Sequence, residues 1–267
     1  MMSKLNAVNN KEMKLLHVLK SLCRINITKT LMFNFRMFPF KTAVHLPVVF
    51  YGHCQIVAKG IVNLNTKPHF GVLKIGENQS LTFGNKGSHH ELSYFCLKGV
   101  LDINGCNNYF ANGCRVYIKK GGRLILKGNL VLQNRCKIHC ANQIVIGEYC
   151  SISWETQLFD TNMHYMIDLN GDIKNNKGSI IIGDNCWIGN RCTIQKGTVL
   201  PDCMVVASYS MVNKDFSIQP FGIVAGSPAK LIKTGSKRIF DYKIERLLDK
   251  YFRRNPATTS INISDIR

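Results

Sequence analysis

Acidic side chains are scarce in this sequence: 16 Asp and Glu stand against 35 Lys and Arg, leaving a formal net charge of +19. That imbalance asks for a polyanionic partner, a membrane surface or an acidic substrate, and charge alone does not choose among them. Long apolar runs are also lacking. The most apolar stretch near the N-terminus, residues 31–51, is broken by Asn34, Arg36, Lys41, His45 and two prolines, so it falls short of the ~18 uninterrupted apolar residues that a spanning helix needs. The small-residue cleavage pattern of a secretory signal is missing as well. Cysteine is plentiful, but its usual arrangements are not there: the count of 11 is odd, no C-x-x-C pair occurs, and Cys136 and Cys140 have no matching second pair. A disulfide framework and a structural zinc site are both disfavoured, and the expectation is a reduced, cytoplasmic protein that holds no metal.

What is present falls into three regions. In the first 60 residues Leu15, Leu16, Leu19 and Leu22 recur at helical spacing, with Asn9 or Asn10 to cap and Glu12 in the first turn. This predicts a short helix over residues 9–23. Glu12 is the single acid among nine basic residues there, so residues 1–60 form a basic arm. Such an arm either packs on the main domain or docks on an anionic membrane surface, which would make the protein peripheral at the inner face of the membrane.

The centre repeats. From Ile182 an aliphatic residue returns every six positions: Ile188, Ile194, Leu200, Val206, Val212, Ile218 and Val224. A six-residue period is too short for helical repeats and wrong for heptads; it is the signature of a hexapeptide β-helix, an all-β solenoid. Each hexad supplies a short strand and a corner, and stacked coils bury the aliphatic ladder. The fourth residue after each aliphatic must be small, and Cys150, Thr156, Cys186, Cys192, Thr198 and Ser210 stand there. These cysteines are read as small buried hydrophobes. Upstream the frame continues through Ile146, Ile152 and Leu158, then loosens into two rows, Ile118–Leu124–Leu130 and Leu126–Leu132–Ile138–Ile144. Coils are expected over 61–233. Residues 234–267 then carry a C-terminal helix, marked by Ile244, Leu247, Leu248 and Tyr251, and a tail.

The repeat is interrupted over 160–178. Insertions in repeat folds emerge on one face and commonly carry the binding site. The one histidine there is His164. An alcohol attacking a thioester must lose its proton, and an imidazole, titrating near ~6.5 in model peptides, suits that task at neutral pH. Asp160 is a candidate to orient the ring, with Glu155, Asp168 or a main-chain carbonyl as alternatives.

The run Ile182-Gly183-Asp184-Asn185-Cys186-Trp187-Ile188-Gly189-Asn190, the His164 loop and Ala225-Gly226-Ser227-Pro228-Ala229-Lys230 resemble the hexapeptide-repeat acetyltransferases. Within them the chain resembles the bacterial polysaccharide and sugar O-acetyltransferases of the colanic acid, capsule and galactoside group. The resemblance implies a left-handed parallel β-helix, a homotrimer with sites between subunits, acetyl-CoA as co-substrate and His164 as catalytic base. It also implies cofactor contacts: Trp187, Asn190, Ala207 and Ser208 along the pantetheine arm, Asn213 and Lys214 near the adenine, and Gly226, Lys230 and Lys233 at the end of the coils. The chain departs from the pattern at Tyr209, which bears on the shape of the cofactor groove, and at Asn213, in place of a usual threonine.

The expected activity is direct acetyl transfer to a sugar or polysaccharide-precursor hydroxyl. N-acylation of an amino sugar, or acetylation of a small amino alcohol such as serine, uses the same fold and base. A zinc-dependent β-helix hydratase would need several converging histidines, whereas His139 sits in a different coil from His164. A nucleic-acid-binding scaffold would need a basic stripe interleaved with aromatics, which the core repeats lack.

Overall fold

The six-residue rhythm folds into short parallel strands stacked in three sheets. The computed structural model describes residues 23–77, 91–218 and 221–265; the helix expected over residues 9–23 lies almost wholly outside them. Among the described residues sheet one is 9-stranded, sheet two 7-stranded and sheet three 6-stranded. The chain visits them in rotation: β1 (Val48–Phe50) lies in sheet one, β2 (Cys54–Ala58) in sheet two and β3 (Ile61–Leu64) in sheet three. Every neighbouring pair is parallel until the last, where β21 (Gly222–Gly226) turns back on β22 (Ala229–Thr234) as an antiparallel hairpin. This is the left-handed parallel β-helix that was expected.

The interior is the aliphatic ladder. Ile182, Ile188, Ile194, Leu200, Val206, Val212 and Val224 are all buried, as are Ile146, Ile152 and Leu158. Ile218 is the exception. It is 90% exposed, and Phe216, at 4%, fills the core in its place. After Val212 the chain takes a shorter path, with the Phe216 amide donating to the Val199 carbonyl, so the inward residue comes four positions on rather than six.

Left-handed backbone at the corners turns the chain. Positive φ recurs every six residues at Asn185, Arg191, Gly197, Cys203 and Tyr209. For residues other than glycine this costs about 1 kcal/mol or more each, offset by hydrogen bonding to the coils above and below. Close stacking also dictates glycine at specific corners: a Cβ on Gly183 would come within 2.5 Å of Asp202 Oδ1, and one on Gly189 within 2.6 Å of the Ser208 amide.

Coils begin earlier than the expected residue 61, because Val48–Phe50 already pairs in register with Leu73–Ile75. Ahead of them α1 (Ile27–Met37) closes the end of the solenoid. Asn34 Nδ2 donates to the Val48 carbonyl, Asn34 Oδ1 accepts from the Val48 amide, and Thr30 Oγ1 accepts from the Phe50 amide. These bonds satisfy backbone groups that no further strand covers. A short α2 (Phe40–Ala43) follows. At the other end α3 (Tyr242–Arg254) forms where a C-terminal helix was expected, capped by Asp241, with none of its residues buried. Among the described residues no helix is long and apolar enough to cross a membrane.

Candidate active site

The interrupting loop leaves sheet two after β14 (Gln157–Phe159) and rejoins at β15 (Ile180–Ile182) in sheet three. Its root is clamped. Both oxygens of buried Asp160 accept main-chain hydrogen bonds, from the Ala141 and Asn142 amides at 2.7 Å each, the Gly178 amide donates to the Asp160 carbonyl, and Thr161 bridges Lys177. The Asp160 carboxylate therefore ties the loop to the preceding coil. Among the described residues no hydrogen bond joins it to His164, so the expected orienting contact is not made within the chain. Glu155 does not serve either, since its carboxylate is held by Arg135 and Arg191.

Beyond the neck, residues 162–175 are exposed. Met163 takes positive φ and the His164 amide donates to the Asn162 carbonyl, a tight turn that carries His164 out into solvent. In the same loop the Asp168 carboxylate accepts from the Asn170 and Asp172 amides.

The residues assigned to the cofactor divide between sides of the prism. Trp187, Asn190, Ala207, Ser208 and Gly226 lie in sheet one or on the corner leading to sheet two. Trp187 is part-exposed, its indole N–H donates to Ser153 Oγ at 3.3 Å, and the Arg238 guanidinium lies 5.2 Å from the ring centroid. Ser208 Oγ donates to Asn190 Oδ1 at 2.5 Å, and the Gly226 amide donates to Ser210 Oγ. The Ala207 amide is committed to the Val224 carbonyl. Lys230 and Lys233 stand exposed on β22, opposite Ala225 and Ile223. Asn213 and Lys214 follow the last strand of sheet two, on the corner toward sheet three, with Lys214 Nζ 5.0 Å from the Phe216 ring. Lys214 thus follows sheet two, whereas the hairpin carries Lys230 and Lys233 on sheet one. Sheet two itself separates the His164 loop from the Trp187 corner, and no hydrogen bond, ion pair or ring contact among the described residues joins them.

Several contacts around these residues were not legible beforehand. Tyr209 is held by a hydrogen bond between Arg191 and its hydroxyl, with the guanidinium 5.5 Å from the ring, and Arg191 in turn pairs with Glu155 at 2.5 Å. Hydrogen bonding from Arg191 holds the Glu155 carboxyl below its ordinary range. Arg238 lies beyond the repeats, where no spacing announces it. His139 sits on the outer face of sheet two between Tyr117 and Phe159, with ring centroids 5.3 and 6.1 Å away. Burial pushes its imidazole down, against the pull of Asp160.

The corner cysteines do more than fill space. The Cys150, Cys186 and Cys192 thiols donate to the Gly183, Pro201 and Ala207 carbonyls of the next coil, as Thr156 Oγ1 does to the Gly189 carbonyl. Burial raises the Cys192 thiol and pushes Cys54 up to about 12, which suits inert structural groups and not nucleophiles.

Site and fold together describe a hexapeptide-repeat β-helix with an inserted histidine loop, and comparison with known proteins agrees. The chain is 44% identical over 72 residues to a probable macrolide acetyltransferase of Lysinibacillus sphaericus, covering 27% of this chain and 37% of that protein. It is 31% identical over 109 residues to a galactoside O-acetyltransferase of Escherichia coli, covering 38% and 52%. A crystal structure of a polySia-specific acetyltransferase aligns with a TM-score of 0.42 at 20% identity, over 80% of this chain and 89% of that one. No protein-family model matches. Over these segments the chain is similar to acetyltransferases, in keeping with the resemblance seen in the sequence. The chain spans only about a third to a half of the length of these curated relatives.

Proposed function

We propose that the protein is an acetyl-CoA-dependent O-acetyltransferase that acts on a sugar hydroxyl in the cytoplasm, working as a homotrimer. The observation that carries this reading is His164, held in solvent on a loop whose root is fixed by Asp160. A fixed root with an exposed imidazole suits a general base that must reach an acceptor outside its own coil. In this reading Asp160 acts by holding the loop.

The Trp187 corner fits acetyl-CoA. Asn190 and Ser208 present amide and hydroxyl groups to a pantetheine arm, the indole offers an apolar face, and Lys230 and Lys233 carry charge suited to phosphates. When bound, acetyl-CoA supplies an acyl group activated as a thioester. His164 takes the proton of the attacking hydroxyl at a ring nitrogen, and the corner residues hold the donor in place. Because sheet two separates loop and corner within one chain, the complete site joins the loop of one subunit to the corner of its neighbour. The apolar stripe of α3, with no buried residue, suits a contact between subunits. Peripheral membrane contact near the N-terminus belongs to the same reading.

A second reading places the transfer on the hydroxyl of an antibiotic, and the match to a probable macrolide acetyltransferase favours it. Coenzyme A release from acetyl-CoA, measured with sugars, oligosaccharides and macrolides as acceptors, separates the two. Sugar-dependent release that falls about 10²–10⁴-fold in His164→Ala is expected. Release that depends on macrolides alone overturns the sugar assignment, and release unchanged in the variant removes His164 from its role.

A further inference from the structure

The end of the solenoid closed by α1 carries a surface outside the candidate site. One side of α1 packs inward through Thr30, Phe33 and Asn34, and Phe33 meets the rings of Phe50 and Phe95. The opposite side is also largely apolar: Leu31, Met32 and Phe35 are exposed, joined by Phe40 of α2 at 73% exposure, whose ring lies 5.9 Å from that of Phe35. A helix that is apolar on both sides is normally covered on both. Beside it, between α1 and β2, runs a groove of about 440 Å³ with Met32, Phe33 and Ile56 to Ala58 along it and Lys29, Arg36 and Lys59 among its walls. The Lys29 ammonium is bound to the Cys54 carbonyl, whereas Arg36 and Lys59 are exposed. Lys41 adds a further exposed cation, and no acidic residue occurs between Glu12 and Glu77.

We propose that this face, formed by the outer side of α1, α2 and the groove along β2, docks on an anionic phospholipid surface. Exposed large apolar groups enter the boundary between headgroups and acyl chains, while Arg36, Lys41 and Lys59 meet the phosphates. The stretch between Glu12 and Glu77, which supplies this face, brings no acid of its own to repel such a surface, and its positive charge argues against a second copy of the same face as the occupant. The inference gives the membrane contact of the proposed function a defined surface, and it stands or falls without reference to acyl transfer.

Sedimentation of the whole 267-residue chain with vesicles tests it, using phosphatidylglycerol mixed into phosphatidylcholine against phosphatidylcholine alone. The parent is expected to bind the anionic vesicles and to be released by salt. Arg36→Glu with Lys59→Glu should weaken binding on the order of fivefold for each unit of positive charge removed. Phe35→Ser with Phe40→Ser should weaken it while leaving a residual salt-sensitive component. Thermal melting of each variant near the parent value shows that the fold survives. Binding that is unchanged in both double variants overturns the proposal, as does equal binding to the two vesicle types or to neither. A change of oligomeric mass in the phenylalanine variant with unchanged vesicle binding assigns the face to a contact between copies and also overturns it. Coenzyme A release with a soluble acceptor, measured on the same samples, keeps this result separate from the catalytic reading.

Discussion

The late coils, from Ile146 onward, and the early coils, from Val48 to Leu132, reach the same cross-section by different means. In the late coils one set of devices repeats: an inward aliphatic, a left-handed corner and a small polar residue that donates to the next coil, as with Thr156, Cys186 and Cys192. The early coils share some of these corners, as where the Cys114 thiol donates to the Gln133 carbonyl, and add single long-range arrangements. Asn34 and Thr30 seal the first strand, three phenylalanines interlock behind it, and the buried Asp102 carboxylate is held by Asn63 and Arg123. Repetition spreads stability over many equivalent corners, whereas unique contacts concentrate it.

Point substitutions sharpen that contrast, each read as a shift in urea unfolding at constant slope. The largest effect is expected in the early coils at Phe95→Ala, where removing one of the interlocked rings should cost about 3–5 kcal/mol. Asn34→Leu strips partners from the Val48 amide and carbonyl and should cost about 3 kcal/mol. Thr156→Val, in the late coils, leaves the Gly189 carbonyl and the Cys192 amide without that hydroxyl and should cost about 2 kcal/mol. A late-coil corner that proves more costly than Phe95 would reverse the comparison.

The smallest effect is a pH dependence on the corner toward sheet two. Arg191 holds the Glu155 carboxyl below its ordinary range, so its contribution is present in full above the unfolded value near ~4.3 and is lost as pH falls through the folded value. The difference in urea midpoint between parent and Glu155→Gln should stay constant from neutral pH down to about pH 5 and shrink below it. A difference that grows on acidification contradicts the pairing.

The same contrast explains what could be read beforehand. The late ladder was legible because each hexad presents one inward aliphatic, and it failed at Ile218 where the path shortens and Phe216 takes the core position. The early rhythm split into two rows because the longer strands there point two residues inward, as Leu124 and Leu126 do on one strand. Both rows are buried. The α1 cap was not legible, since its core side carries Thr30 and Asn34 and its outer side carries Leu31 and Phe35, leaving no clean amphipathic stripe. At the candidate site, the His164 loop stood out as a break in a regular pattern. The clamp by Asp160 did not, because it depends on main-chain amides of the preceding coil, which carry no side-chain signature.

The central claim is that the His164 loop of one subunit works with the Trp187 corner of another. Co-refolding two variants inactive for different reasons, His164→Ala and a charge-and-size block at the corner such as Ser208→Arg, tests it most directly. A shared site predicts that mixed oligomers regain up to about a quarter of parental coenzyme A release, because random assembly unites an intact loop with an intact corner at that frequency. Mixed oligomers of confirmed composition that stay inactive, while each variant keeps its fold, would contradict the account.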